Sequence, residues 1–190
     1  VTLFTFKLIF MDFTKKNLVQ IIDDYYSEFS EFSYELAKKY HKDNQENNKG
    51  AFGDLEGLII YSLIREYKPK IIFEISPDTG MSTNYILQAV AKNSFGKVYG
   101  FEIEKTKYKN LRKPTLEVIK NNQINPDFVN QYYNLVIGDA TKECDLKKYG
   151  NPDIILIDSC HEKWFSEWYL NKLLPNVNYF SILQDISYSH

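Results

Sequence analysis

Residues Ile71–Ser82 read IIFEISPDTGMS, and this stretch decides the fold of the chain. An apolar run reaches the acid Glu74, a short loop with Pro77 and Gly80 follows, and a helical pattern comes next. This order is typical of a central parallel strand whose carboxyl end faces a ligand. We therefore expect a ligand site at this loop.

The rest of the chain alternates strand and helix patterns around this unit. The predicted strands are Lys70–Ile75, Lys97–Glu102, Tyr133–Ile137, Asp153–Ile157 and Tyr179–Leu183. The predicted helices are Leu18–Tyr40 (or two helices broken near Ser27–Ser33), Asp54–Tyr67 with Asp54 as N-cap, Thr79–Lys92, Thr106–Asn122 with a kink or a break at Pro114, and Glu162–Leu174. Strands separated by helices predict right-handed crossovers and one doubly wound parallel sheet, a Rossmann-like α/β fold.

Length and composition are those of a single domain. The chain has 190 residues, of which 44% are hydrophobic and 25% charged, as in ordinary globular proteins. We expect one domain over residues 1–190, with an extension at 1–10 before a start at Met11, a helical lead-in at 14–67 and the Rossmann-like core at 70–190.

Charge and cysteine content bear on the partners and the location of the protein. A net charge of −2 with no basic face argues against a nucleic-acid partner, and no segment is suited to a membrane. The two cysteines, Cys144 and Cys160, have neither metal nor redox spacing, and we expect Cys160 to be a small packing residue. Reduced thiols and the lack of a convincing signal peptide predict a cytoplasmic location.

Acidic residues stand at or just after the ends of three predicted strands. Glu74, Glu102 and Asp139 would all reach the edge of the sheet where ligands bind. A carboxylate after the second strand is placed to accept hydrogen bonds from both hydroxyls of a ribose. The pair Asp139–Ala140 is placed to meet an adenine amine. For each acid alone, a helix cap or a solvated turn is the plainer interpretation.

The loop chemistry argues against NAD as the nucleoside ligand. A dinucleotide site needs the pattern G-x-G-x-x-G so that the backbone can approach a diphosphate. Here the loop reads S-P-D-T-G, with a single glycine, and the Asp78 carboxylate would repel a diphosphate. An adenosine ligand that carries an amine or a sulfonium fits this loop better.

The segment from Gly53 to Thr83 resembles the entry region of class I S-adenosylmethionine-dependent methyltransferases. Within that class it is most similar to the small-molecule O-methyltransferases of the methyltransferase 24, catechol and caffeoyl-CoA types, whose motif reads roughly E-I-G-x-x-x-G-x-S-T. The resemblance covers about residues 53–187. Residues that match the motif or the cofactor-binding acids after it are Glu74, Gly80, Ser82, Thr83, Glu102, Asp139 and Ala140.

The resemblance implies the cofactor, the strand order and the cofactor site. It implies S-adenosylmethionine and a sheet of about five strands in the order 3-2-1-4-5. The implied cofactor-binding residues are Glu74, Ser76, Asp78, Gly80, Ser82, Glu102, Asp139 and Ala140. Ser76 replaces a glycine of the family pattern, and Asp78 stands where glycine is frequent. The family's C-terminal antiparallel hairpin is not found before His190, so a homodimer is a candidate cover for the last strand.

The candidate reaction centre consists of Asp158, His161 and Asp185. In the sequence I-L-I-D-S-C-H, the resemblance places His161 as a general base or a group that orients a small-molecule acceptor, beside Asp158 as a second catalytic residue. Asp158 and Asp185 end adjacent predicted strands and could converge on Mg²⁺. A cap for the following helix is the alternative for Asp158, and a surface histidine is the alternative for His161.

Two function classes remain open at this stage. The first is an S-adenosylmethionine-dependent methyltransferase that methylates an oxygen of a small hydroxylated or sugar-like acceptor. The second is a degenerate, truncated relative that binds the nucleoside weakly and serves as a non-catalytic binding or interaction subunit. Ser76, Asp78 and the short C-terminus favour the second reading.

Overall fold

The structure is a computed structural model that describes residues 16–43, 52–103, 106–107, 113–160 and 162–184. The predicted extension at 1–10 and the predicted start at Met11 lie outside the described residues, as do His161 and Asp185.

Helices and strands alternate along most of the described chain. The helices are α1 (Leu18–Asp43), α2 (Asp54–Tyr67), α3 (Met81–Asn93), α4 (Thr115–Asn122), α5 (Asp127–Tyr132), α6 (Ala140–Glu143), α7 (Leu146–Tyr149) and α8 (Lys163–Trp168). The strands are β1 (Ile71–Ile75), β2 (Lys97–Glu102), β3 (Thr106–Lys107), β4 (Lys113–Pro114), β5 (Tyr133–Ile137), β6 (Ile154–Ile157) and β7 (Phe180–Leu183). A π-helical turn, Tyr169–Leu173, and a 3₁₀ turn, Leu174–Asn176, continue from α8.

Five strands form one parallel sheet in the order β5-β2-β1-β6-β7. Counted among themselves along the chain, these strands have the order 3-2-1-4-5, so the predicted Rossmann-like fold is confirmed. The strand β1 is central, because Ile72 pairs with Val98 on one side and with Ile154 on the other. The loop after β1 therefore opens at the point where the strand order reverses, which is the usual ligand position in such sheets.

The two faces of the sheet bury separate apolar clusters. Ile72 and Ile154 pack on the face covered by α1, α2 and α3, whereas Phe73 and Ile155 pack on the face covered by α8. Successive residues of a strand point to opposite faces, so a strand that is covered on both sides must be apolar throughout. This explains the continuous run Ile154–Ile157.

The helix α1 is continuous, so the alternative of two helices broken near Ser27–Ser33 is wrong. Inside that range, Phe29 packs edge-on against Tyr61 of α2, with 5.6 Å between ring centroids. Glu28 accepts hydrogen bonds from Tyr61 and from Arg65. These contacts to α2 offset the weak helix propensity of the serines, because tertiary packing overrides local propensity.

The predicted helix Thr106–Asn122 is wrong in its first half. Thr106–Lys107 and Lys113–Pro114 pair as a small antiparallel ladder, and α4 starts only at Thr115. Pro114 precedes α4 with φ −56° and ψ 139°, which is extended backbone. A proline inside a helix lacks the amide donor and collides with the preceding turn, so the helix starts after it.

Most other predicted boundaries shift by one to three residues, and three short helices were not predicted. The N-cap of α2 is Gly53 rather than Asp54, and α3 begins at Met81 rather than Thr79. The predicted helix Glu162–Leu174 loses its α-helical hydrogen bonding after Trp168. The helices that the sequence did not predict are α5, α6 and α7, each six residues or shorter. Among the described helices, none is long and apolar enough to cross a membrane.

Candidate functional site

The parallel hydrogen-bond ladder continues past the strand ends and holds the first loop residues together. Ser76 donates its amide to the carbonyl of Phe101 at 2.8 Å, and Gln184 donates to Ile157 at 3.0 Å. Asp158 donates to Ile75 at 3.3 Å and Gly138 donates to Glu102 at 2.9 Å. The predicted residues Ser76, Glu102 and Asp158 are thereby brought to one edge of the sheet.

Glu74 is the most enclosed of the predicted site residues. It is 1% exposed, and its carboxylate accepts hydrogen bonds from Ser82 Oγ at 2.6 Å and Thr83 Oγ1 at 2.9 Å. Tyr133 Oη adds a third bond at 3.3 Å from β5. Both carboxylate oxygens are thus engaged by hydroxyl groups of the protein. Glu74 joins the end of β1 to the first turn of α3, beneath the loop.

Burial raises the pKa of Glu74 to about 7, since a charged carboxylate is costly away from water. The hydroxyls of Ser82, Thr83 and Tyr133 oppose this rise, and the negative charge of Asp158 adds to it. The pKa of Tyr133 is raised well above its usual value, again chiefly by burial and then by the charge of Glu74. Glu74 therefore gains or loses its proton near neutral pH.

The loop from Ser76 to Gly80 adopts an uncommon backbone shape. Ser76 has φ 65° and Asp78 has φ 48°, and both values lie in the left-handed region that side chains disfavour. Gly80 has φ 87° and donates its amide to Pro77 O at 2.8 Å. The Asp78 side chain is exposed, whereas Gly80 is buried. The loop therefore presents an acidic side chain outward from a closed turn.

Glu102 lies behind this loop and is 2% exposed. Its Oε2 accepts the backbone amide of Asp78 at 3.1 Å, so the loop after β1 and the acid that ends β2 are in direct contact. The next residue, Ile103, is 71% exposed and places an apolar side chain directly after this buried acid. Sequence reasoning did not single out Ile103. The sequence feature that could have identified Ile103 is an isoleucine directly after the acid that ends β2.

Asp139 caps a helix, as its plainer interpretation predicted. Its carboxylate accepts hydrogen bonds from the amide of Thr141 at 3.0 Å and from Thr141 Oγ1 at 2.7 Å, and it pairs with Lys142 at 3.5 Å. These bonds to Thr141 lower the pKa of Asp139. Ala140 begins α6 and is half-buried. One-third of the Asp139 side chain is exposed, so it is still accessible to a ligand.

The predicted reaction centre is only partly described. Asp158 is half-buried just after β6, near enough to Glu74 to raise the pKa of that acid. Gln184 follows β7 in the neighbouring position, and its buried Oε1 has no hydrogen-bond partner among the residues that the structure describes. In the part of the chain that the structure describes, no group of three or more His, Cys, Asp or Glu side chains could hold a metal ion. The roles of His161 and Asp185 stay predictions.

The aromatic side chains that follow the candidate reaction centre differ in burial. Phe165 is buried in the cluster beneath the sheet, as a core residue would be, and Trp164 is 56% exposed. Cys160 is exposed, so its predicted role as a packing residue is wrong. Cys144 is the more enclosed thiol, and burial raises its pKa to about 12.

A parallel sheet that reverses its strand order defines the class of Rossmann-like α/β folds, in which ligands bind at the point of reversal. Within that class, a family model described as "Methyltransferase domain" matches residues 73–183. The chain belongs to this methyltransferase-domain family, and the resemblance read from the sequence is confirmed. A search of curated protein sequences gives no significant match.

Solved structures share the fold at low sequence identity. The Podospora anserina methyltransferase PaMTH1, crystallised with S-adenosylhomocysteine (SAH), is 16% identical with a TM-score of 0.55, over 78% of this chain and 60% of that one. The Bacillus cereus O-methyltransferase, also in complex with SAH, is 18% identical with a TM-score of 0.50, over 84% and 62%. The cofactor-bound protein Rv0187 from MTB is 21% identical with a TM-score of 0.52, over 70% and 57%. The chain thus spans about three fifths of the length of these structures.

Proposed function

We propose that this protein is an S-adenosylmethionine-dependent methyltransferase that methylates an oxygen of a small hydroxylated or sugar-like acceptor. The observation that carries the proposal is the contact between the Asp78 amide and Glu102 Oε2, at 3.1 Å. It places an acid suited to ribose hydroxyls directly behind a loop whose exposed side chain is another acid. Such a site favours a nucleoside with a cationic tail and disfavours a diphosphate.

The residues of the site fit this cofactor in distinct roles. Glu102 would accept hydrogen bonds from the ribose hydroxyls, and the exposed side chain of Ile103 would pack against the adenine ring. Asp139 and Ala140 would meet the adenine amine. Ser76, Asp78 and Gly80 would face the methionine part of the cofactor. Ser82 and Glu74, which are bonded to each other, would act through the loop rather than on the ligand.

The acceptor side of the site is proposed from fewer groups. The cofactor, when bound, supplies a methyl group on a sulfonium. Asp158 lies beside the loop, with His161 as the proposed base and Asp185 as the proposed second ligand of Mg²⁺. The Oε1 of Gln184, which has no hydrogen-bond partner in the described part of the chain, would accept a hydrogen bond from an acceptor hydroxyl, since a buried unpaired amide oxygen is costly. Cytoplasmic location and a homodimer stay predictions.

One observation favours the alternative of a non-catalytic relative. Glu102 is 2% exposed and already accepts the Asp78 amide, so a ribose has to share or displace this contact. If the loop keeps its contact with Glu102, the protein keeps its fold but does not bind the cofactor. The two functions therefore differ in one measurable property, the affinity for the nucleoside.

Isothermal titration calorimetry with S-adenosylmethionine and SAH separates the two functions, with and without Mg²⁺. We expect binding by the wild type and a loss of at least tenfold in Glu102→Gln, because that acid would hold both ribose hydroxyls; tenfold corresponds to about 1.4 kcal/mol. Glu31→Gln, on the exposed side of α1, is the matched control and should bind as the wild type does. Absence of binding by the wild type at millimolar ligand leaves the non-catalytic relative as the function.

A further inference from the structure

Three side-chain amides, of Asn84, Asn122 and Gln123, join the loop after β1 to the C-terminus of α4; we call them the amide clamp. Asn122 Nδ2 donates to Thr79 O at 2.9 Å, and Gln123 Nε2 donates to Gly80 O at 3.1 Å. Two carbonyls at the end of the loop are thus held by two consecutive residues from another part of the chain.

Asn84 completes the clamp from the other side. Its Nδ2 donates to Asn122 O at 2.9 Å, and its Oδ1 accepts the amide of Ile124 at 3.0 Å. Asn84 and Gln123 are 0% and 1% exposed. Asn84 therefore both donates to and accepts from the backbone of the opposite segment, whereas Asn122 and Gln123 donate to it. Water has little access to the buried amides of Asn84 and Gln123.

The packing around Gly80 shows how closely α4 approaches the loop. A Cβ at this position would lie 3.0 Å from Ile119 Cγ2 and 3.1 Å from Gln123 Nε2. The carbonyl of Gln123 is in turn bound by Lys39 of α1. The glycine is needed both for its left-handed φ and for this approach, so the loop and α4 fit each other as a pair.

The loop needs outside support because its own geometry is costly. Ser76 and Asp78 both have positive φ, a conformation that residues other than glycine keep only where the surrounding structure enforces it. One support is the bond from the Asp78 amide to Glu102, but Glu102 is also the proposed ribose acid. The clamp uses the carbonyls of Thr79 and Gly80 instead, so ligand binding at Glu102 leaves it intact.

We infer that Asn122 and Gln123 are positioning residues: through the amide clamp they set the shape of the loop and with it the affinity for the nucleoside cofactor, without touching the cofactor. The second half of this inference rests on the proposed function. The first half, that the clamp fixes the loop, does not.

The test compares the double variant Asn122→Ala, Gln123→Met with the control Asn93→Ala. Methionine keeps roughly the volume of glutamine and removes the amide. Asn93 also donates its side-chain amide to a helix carbonyl, Ile64 O at 2.8 Å, but it lies at the far end of α3 from the loop. We expect SAH affinity to fall about tenfold in the double variant, and to change less than about twofold in the control.

Hydrogen exchange supplies a readout that needs no ligand. Amides of residues 76–84 should exchange faster in the double variant than in Asn93→Ala, while the amides of β6 stay protected in both. Unchanged SAH affinity in the folded double variant overturns the inference. If the wild type itself does not bind SAH, the proposed function fails, and the exchange rates alone decide whether the clamp fixes the loop. If the double variant does not fold, Asn122→Ala carries both measurements, because Asn122 is only half-buried.

Discussion

Glu74 lies near the end of one strand and Asp139 follows another strand of the same sheet, and their hydrogen bonds differ in range. Glu74 is bonded to Ser82 and Thr83 across the loop and to Tyr133 from another strand. Asp139 is bonded to Thr141, two residues ahead, and to Lys142. The first acid is part of the core, and the second is a local cap.

This difference in hydrogen bonding determines which of the two carboxylates is available to a ligand. Glu74 is 1% exposed and has both oxygens occupied, so its contribution to a ligand must pass through the loop above it. One-third of the Asp139 side chain is exposed, and its bonds can be exchanged for bonds to a ligand at little cost. Four substitutions or conditions test this contrast.

The largest effect is expected from Glu74→Ala. This change leaves the hydroxyls of Ser82, Thr83 and Tyr133 buried without their acceptor, which should lower the free energy of unfolding by about 3 kcal/mol or more. Urea denaturation measures the loss, and the exposed Glu31→Ala on α1 should stay within about 0.5 kcal/mol of the wild type. A loss below about 1 kcal/mol for Glu74→Ala would show that the network is not a core element.

Gly100→Ala should be next in size. A methyl group on Gly100 would collide with the Tyr133 ring and hydroxyl, which lie directly over this strand. Forcing a side chain into a filled core costs about 1–3 kcal/mol. In a Tyr133→Leu background the same change should cost less, because the colliding ring is gone. Equal costs in both backgrounds would mean that Tyr133 does not constrain Gly100.

Glu74 and Asp139 should also make the free energy of unfolding depend on pH in opposite directions. The folded-state pKa of Glu74 is about 7, above its ordinary 4.5, so the folded protein binds more protons in that range. Its contribution to stability is complete below pH 4.5 and is lost as pH rises through 7, with a slope of up to about 1.4 kcal/mol per pH unit. Asp139 has a lowered pKa, so its contribution is present above pH 3.8 and is lost on further acidification.

Denaturation curves at a series of pH values, for the wild type and for Glu74→Gln, check this slope. We expect Glu74→Gln to remove the fall in stability between pH 4.5 and 7, because glutamine has no proton to lose. If the stability of Glu74→Gln still falls between pH 4.5 and 7, this pH dependence does not come from Glu74.

The smallest effect is expected from Asp139→Ala. Loss of a helix N-cap costs about 1 kcal/mol, and α6 is only four residues long with no buried residue. Thermal unfolding should therefore show a small drop, and Asp139→Asn, which keeps an accepting oxygen, should recover most of it. A drop as large as that of Glu74→Ala would mean that Asp139 is a core residue too.

Much of the fold could be predicted from the sequence because its signals are local. The bounds of β2 and β5 were predicted without error, and continuous apolar runs such as Ile154–Ile157 indicated a sheet covered on both faces. The position of acids at strand ends also follows from the one-dimensional pattern. That Glu102 would reach the loop after β1 follows from parallel pairing alone, and the two are in contact.

Only the tertiary structure decided which partners each polar side chain has. The bond from Tyr133 to Glu74 joins two strands that are distant in the sequence. The bonds from Asn122 and Gln123 join the C-terminal end of α4 to the loop after β1. Pro114, predicted to mark a kink or a break within a helix, ends a small antiparallel ladder just before α4 begins. The positions of the strands can be predicted from the order of apolar residues along the sequence alone. The pairing of buried polar groups depends on which segments the fold brings within 3 Å, and no local pattern contains that distance.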